Sequence, residues 1–121
     1  MIFAHTLQSV LNGTKTQTRR LVKAGEQLTA DGVCIRTARG RRLYQVGKTY
    51  AVQPARGERA VVRIRITRLR CESVGDISAE DARAEGFASP RAFLEAWRAI
   101  HGAKADVSAR VWVIAFELER L

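Results

Sequence analysis

Val61-Val62-Arg63-Ile64-Arg65-Ile66-Thr67-Arg68-Leu69-Arg70-Cys71 carries the clearest two-residue alternation in the chain. Val62, Ile64 and Ile66 fall on one face and Arg63 and Arg65 on the other, the pattern of a β-strand with one buried side. Beyond Thr67 the parity changes, and Leu69 and Cys71 take up the apolar row. Two residues must then oppose one, which predicts a β-bulge near Thr67-Arg68. The bulge keeps Arg63, Arg65, Arg68 and Arg70 on the outer side of a bent strand. Bends of that kind curl small sheets, so the expected class is α+β, a small curled β-barrel of five or six strands with flanking short helices.

Toward the N-terminus, Leu7, Val10 and Leu11 give His5 to Asn12 one apolar helical face, and Gly13 suits the residue after a helix. Gly13-Thr14-Lys15-Thr16-Gln17-Thr18-Arg19-Arg20 follows, with no apolar residue until Leu21. Its alternating threonines read as a strand too polar for core. Val33 to Thr37 and Leu43 to Val46 read as a hairpin whose tip carries Arg36, Arg39, Arg41 and Arg42. Thr49 to Gln53 is a strand that Pro54 closes. Toward the C-terminus, Ser78 caps a helix that ends at Glu85-Gly86. Ser89-Pro90 opens another, with Phe93, Trp97 and Ile100 on its inner face and Gly102 at its end. Val111 to Leu118 is apolar on both faces at its start, as an interior strand is. Helices and strands do not alternate regularly, which argues against a parallel doubly wound sheet.

The 121 residues amount to one domain, 1–121, with 46% hydrophobic residues to build a core. No apolar run approaches the length of a membrane span, and the first residues lack the pattern of a signal peptide, so a cytoplasmic location is expected. Cys34 and Cys71 lie far apart; neither a disulfide nor a metal site is expected. The net charge of +9 is unevenly spread. Met1 to Cys71 holds 15 Lys+Arg against 3 Asp+Glu, and Glu72 to Leu121 holds 6 against 9. Arginine forks suit phosphate and nucleobase edges, which fits a nucleotide or nucleic-acid partner. The same surplus also keeps a basic domain soluble, and outward arginines protect strand edges.

Three groups could carry chemistry. Lys15 could act as base toward the Thr18 hydroxyl, its proton affinity lowered by Arg19 and Arg20. If both sat on one strand, three steps would point them to opposite faces, so Lys15 must lie in the loop leaving the first helix and curl back. Otherwise they are a surface lysine and a strand threonine. Glu85 ends a helix, where the macrodipole disfavours negative charge unless a cation is close, a setting that suits a general acid; an exposed helix glutamate looks the same. The strand and hairpin arginines could follow a phosphate backbone. Tyr44, Tyr50 and Phe87 could stack on a base, whereas Trp97 and Trp112 read as core. His5 and His101 carry no signal beyond their local structure, and with no carboxylate cluster a metal is not expected.

The stretch Gly13–Arg20 resembles the G-x-K-T-x-T-R-R signature of ASCH domains, members of the PUA-like superfamily. The resemblance continues through Val46–Tyr50, Gln53–Gly57, Asp76–Ser78, Ala84–Phe87 and Val111–Ile114, most like the phage-type bacterial branch. It implies a PUA-like barrel with a cleft beside the signature strand, and RNA or a modified nucleoside as partner. Some small bacterial ASCH proteins are amidohydrolases that remove acyl groups from the exocyclic amine of cytidine through a lysine, a threonine and a glutamate. Carried over, these are Lys15, Thr18 and Glu85. Arg19 stands where that enzyme group often has an apolar residue. Thr16, Arg19, Arg20, Tyr50, Gln53, Arg56, Arg63 and Arg65 are then expected to contact substrate or RNA. No cofactor is implied, and a monomer is expected. The alternatives are a non-catalytic RNA-binding module using the same cleft and, more weakly, a ribonuclease.

Overall fold

The protein is described from a computed structural model that covers residues 1–3, 6–102 and 106–119. In chain order the elements are α1 (Leu7–Leu11), β1 (Gln17–Leu21), β2 (Gln27–Leu28), β3 (Cys34–Arg36), β4 (Arg42–Gln45), β5 (Thr49–Val52), β6 (Val62–Ser73), α2 (Ala79–Ala84), α3 (Pro90–His101) and β7 (Arg110–Glu119). A single 3₁₀ turn, Val74–Asp76, joins β6 to the helices. The short strand β2 was not expected from the sequence, and His5 lies outside the described residues.

β6 and β7 form the antiparallel spine, and their register shifts between Ile66 and Arg68, where the bulge is predicted. Before the shift Ile64 faces Leu118 and Ile66 faces Phe116; after it Leu69 faces Ile114 and Cys71 faces Trp112. Residues directly opposite one another share a face, so the apolar row stays continuous across the extra residue. On this side Ile66, Leu69, Trp112 and Ile114 bury themselves against Ile35 of β3. On the other side Val111 and Val113 are covered by Ala82 of α2 and by Phe93 and Trp97 of α3. That is why β7 is apolar on both faces. Ile100, expected on the inner face of α3, is instead 54% exposed.

The curled barrel expected from the bulge does not close. The strands form two antiparallel sheets, β1-β7-β6-β5 and β2-β3-β4. The smaller sheet joins the larger at the bulge, where Gly47 N–H donates to Ile66 O and Ile66 N–H to Lys48 O. Among the described residues β1 pairs with β7 alone and is an edge. Its free side is met by α3 and the Ile2–Phe3 segment, with a cavity between them.

Helices α2 and α3 start as the sequence predicts. The Ser78 hydroxyl accepts the Asp81 N–H at 3.0 Å, and the Ser89 hydroxyl accepts the Ala92 N–H at 3.1 Å. Each cap satisfies an otherwise unpaired amide in the first turn. The cap on α2 fixes where that helix starts, and Gly86 at φ +93° ends it just past Glu85. Among the described residues no helix is long and apolar enough to cross a membrane.

Candidate active site

Gly13 ends α1 at φ +81°, a conformation glycine adopts without penalty. The chain then turns back on itself. Lys15 N–H donates to Ser9 O at 2.9 Å and Thr16 N–H to Ala84 O at 2.7 Å, so the loop is tied to both α1 and the end of α2. β1 begins only at Gln17, which leaves Lys15 in the loop and removes the opposite-face problem. On the other side Gly86, at φ +93°, lets the chain leaving α2 press close: a Cβ there would sit 3.3 Å from the Ser9 side chain.

These two turns bring Lys15 against Glu85. The Lys15 Nζ donates to Glu85 Oε1 at 2.7 Å and to the Glu85 carbonyl at 3.3 Å. The two residues are only 4% and 2% exposed. Burial pushes the Lys15 pKa below its usual value; Glu85 pulls it back, and the charges of Arg20 and Arg19 lower it further.

Arg19 is the hub beneath this pair. Its Nε and Nη2 donate to Glu72 Oε1 at 3.0 and 2.6 Å, and Nη2 also to Asp81 Oδ2 at 3.1 Å. Its Nη1 donates to Glu85 Oε2 and Gln17 Oε1, each at 3.0 Å. All five guanidinium donors are used. Arg70 closes the network on Glu72 at 3.0 Å and Asp81 at 2.5 Å, and Gln17 Nε2 reaches Asp81 Oδ1 at 3.1 Å. With Lys15 protonated, three cations face three carboxylates and the cluster is neutral as a whole. Burial alone would raise the Asp81 pKa, but the Gln17 hydrogen bond and the charges of Arg19 and Arg70 outweigh it and hold the carboxyl below 3.8.

Thr18 pairs with Ile114 and Arg19 with Val113, so their side chains leave opposite faces of β1. Thr18 is 4% exposed and lines the cavity, and no described residue hydrogen-bonds its hydroxyl. The cavity measures about 880 Å³. Lys15, Thr18 and Glu85 line it, and Phe3, Phe87, Phe93 and Trp97 supply apolar walls. The buried Trp97 Nε1 has no hydrogen-bond partner among the described residues. His101 packs on the Trp97 ring with centroids 3.9 Å apart, its pKa lowered by burial and then by Arg20. Arg20 also lines the cavity; its guanidinium lies over the Phe3 ring at 5.2 Å and donates to Ile2 O at 2.9 Å.

The other sequence-predicted contacts fall elsewhere. Thr16 is exposed outside the cavity, and the Arg19 side chain is fully engaged with carboxylates and Gln17. The Tyr50 hydroxyl accepts the Gln45 N–H at 2.8 Å, and its ring packs edge-on to Tyr44. Gln53 bridges to Ile2 and donates to Glu58 O. Arg56 sits in an exposed turn, Arg63 bonds Thr49, and Arg65 bonds Gly47 O and Glu119. None of these five lines the cavity, because β5 and the first half of β6 lie across the sheet from β1. Sequence reasoning missed Gln17, Arg70, Glu72, Asp81 and the wall residues Phe3 and Phe93. One signal was there: the acids between Glu72 and Glu85, set against the basic first half of the chain. Among the described residues no three His, Cys, Asp or Glu side chains are grouped to hold a metal.

The fold and site define an α+β domain whose open signature strand faces a cleft. The ASCH domain model matches residues 3–104, and the chain belongs to the ASCH domain family. No curated protein matches its sequence. Among solved structures it resembles the ASCH domain from Lactobacillus crispatus JV V101, with a TM-score of 0.67 and 18% identity over 92% of this chain and 68% of that one. It also resembles protein EF3133 from Enterococcus faecalis V583, a DUF984 protein, with a TM-score of 0.65 and 16% identity over 94% and 69%. A third, the hypothetical protein PH0355, has a TM-score of 0.64 and 13% identity over 98% and 96%. At these identities the likeness concerns the fold.

Proposed function

We propose that this ASCH domain is a metal-independent amidohydrolase that removes the acyl group from the exocyclic amine of an acylated cytidine, converting 4-acetylcytidine to cytidine and acetate. The observation that carries this reading is the buried Lys15–Glu85 hydrogen bond of 2.7 Å in a cavity that also holds the unbonded Thr18 hydroxyl. A neutral lysine has two N–H donors and one lone pair. Glu85 occupies both donors, which leaves the lone pair free to accept a proton in the cavity that Thr18 also lines.

The chemistry runs in two halves. Thr18 Oγ attacks the amide carbonyl as its proton passes to Lys15 Nζ. Lys15 relays that proton to Glu85, which delivers it to the cytosine amine as the C–N bond breaks. Water then attacks the threonine ester, giving its proton to Lys15, and Lys15 returns a proton to the departing Thr18 oxygen. The aromatic walls suit a planar base. The Arg19 side chain touches no reacting atom; it fixes Glu85 and β1. The domain acts as a cytoplasmic monomer in this reading.

The test is incubation with 4-acetylcytidine, reading cytidine release. The wild type is expected to turn over, and Lys15→Ala and Thr18→Ala to lose roughly 10²-fold or more. No turnover by the wild type overturns the enzyme reading.

A second reading, RNA binding without catalysis, draws on the exposed Arg36, Arg39, Arg41, Arg42, Arg56 and Arg68, which lie outside the cavity. The buried cluster is neutral, so the +9 of the chain is carried outside it.

A further inference from the structure

The free edge of β1 offers a ligand main-chain groups that the side-chain chemistry does not use. Thr16 O accepts the Phe116 N–H at 2.9 Å, and Val22 N–H donates to Arg110 O at 3.1 Å. These contacts fix the phase of the β1–β7 ladder: Thr16, Thr18, Arg20 and Val22 turn their backbone polar groups toward β7. In an antiparallel pair the intervening residues turn theirs away. The N–H and C=O of Gln17, Arg19 and Leu21 therefore point out from the open edge. Arg19 lines the cavity. The residue is 4% exposed while its side chain is 0% exposed, so what the cavity sees of Arg19 is its main chain. No described residue hydrogen-bonds that N–H or that C=O.

We infer that the Arg19 main chain reads the nucleobase edge of the substrate. An N–H and a C=O from one strand residue project side by side, a donor next to an acceptor. An acylated cytosine offers the complement: the N3 acceptor next to the N4–H donor. Arg19 N–H donates to N3, and N4–H donates to Arg19 O. Two parallel bonds hold the base in plane between the aromatic walls, with the amide carbonyl beside Thr18, the preceding residue. Uracil presents a donor at N3 and an acceptor at O4, so both bonds become like-against-like and uridine derivatives are rejected. The five bonds of the Arg19 guanidinium then act as positioning: they freeze the main chain that reads the base.

This inference rests on the amidohydrolase reading, and the experiment separates the two. The Thr18→Ala protein, unable to turn over, is titrated with 4-acetylcytidine, its 3-deaza analogue and its N4-methyl analogue, with the Arg19 amide followed by nitrogen-15 NMR. Each analogue is expected to bind roughly tenfold to hundredfold more weakly, because one buried main-chain group loses its partner. The Arg19 amide proton is expected to move downfield with 4-acetylcytidine and less with the 3-deaza analogue. Should Thr18→Ala fail to fold, the ratio of wild-type kcat/KM values for the three compounds gives the same comparison. Equal affinities, or an Arg19 amide that does not move in the complex, overturn base reading by Arg19 while leaving turnover intact. Tight, discriminating binding without wild-type turnover removes the enzyme reading and keeps this one. Absence of both binding and turnover removes both.

Discussion

At the residue scale the site is governed by the cost of burying charge. A lysine and a glutamate at 4% and 2% exposure persist because each satisfies the other and Arg19 holds the second carboxylate oxygen. Removing one partner of such a pair costs about 3–5 kcal/mol, since the remaining charges stay buried and uncompensated. Glu85→Ala is therefore expected to lower the free energy of unfolding in urea by about that amount and to abolish turnover. The depressed Lys15 pKa sets the sign of two pH effects. Between the folded pKa of Lys15 and 10.5 the unfolded chain binds more protons, so the contribution of Lys15 makes stability rise with pH in that window. Neutral Lys15 is also the reactive form, so kcat/KM is expected to rise with pH along a limb whose midpoint lies below 10.5, measured with 4-acetylcytidine from neutral to alkaline pH. Lys15→Arg, which stays charged, is expected to be inactive throughout. That Lys15 lies in the loop before β1 rather than on the strand with Thr18 was legible in the sequence, because it depends on one local turn at Gly13. The fate of Arg19 was not, because its acidic partners lie 53, 62 and 66 residues away and only the fold brings them in.

At the scale of elements, the site is a junction of chain ends. The loop after α1, the edge strand β1 and the C-terminal end of α2 meet through Lys15, Thr18 and Glu85, and α3 walls the space. Gly86 is the tightest point of that junction. An alanine there must adopt φ near +93° and meet Ser9 at 3.3 Å, so Gly86→Ala is expected to cost about 1–2 kcal/mol and to shift the preceding Glu85. Its thermal midpoint should fall modestly while kcat falls further, whereas Gly40→Ala, in open space far along the β3–β4 hairpin, should lose stability alone. Comparing melting and turnover of the two variants checks this. The long strand, its bulge and both helix starts were legible because alternation and capping are local signals. The role of Glu85 in the interior was not, since a helix end next to a buried lysine and a helix end in water read alike in sequence.

On the scale of the whole molecule, the same bend that predicts a barrel produces two sheets. The bulge curves β6, but among the described residues the edge of β1 is opposed by side chains of α3 and of Ile2 and Phe3 rather than by another strand. An open edge beside a cavity is what a closed barrel would have removed. Charge is divided in the same way: a neutral cluster lies inside, and the basic surplus lies on the hairpin and the outer β6 surface. Replacing Arg39, Arg41 and Arg42 together with alanine is expected to weaken RNA binding and flatten its salt dependence, with turnover of 4-acetylcytidine unchanged; filter binding across a salt series and the cytidine assay check the two halves. The most direct measurement of the central claim follows the acyl group itself. The wild type is quenched during turnover of 4-acetylcytidine, and the peptide containing Thr18 is examined by mass spectrometry. Nucleophilic catalysis requires an acetyl group on Thr18 in the wild type, cytidine in solution, and neither in Lys15→Ala. Cytidine released while Thr18 stays unmodified, or no cytidine at all, contradicts it.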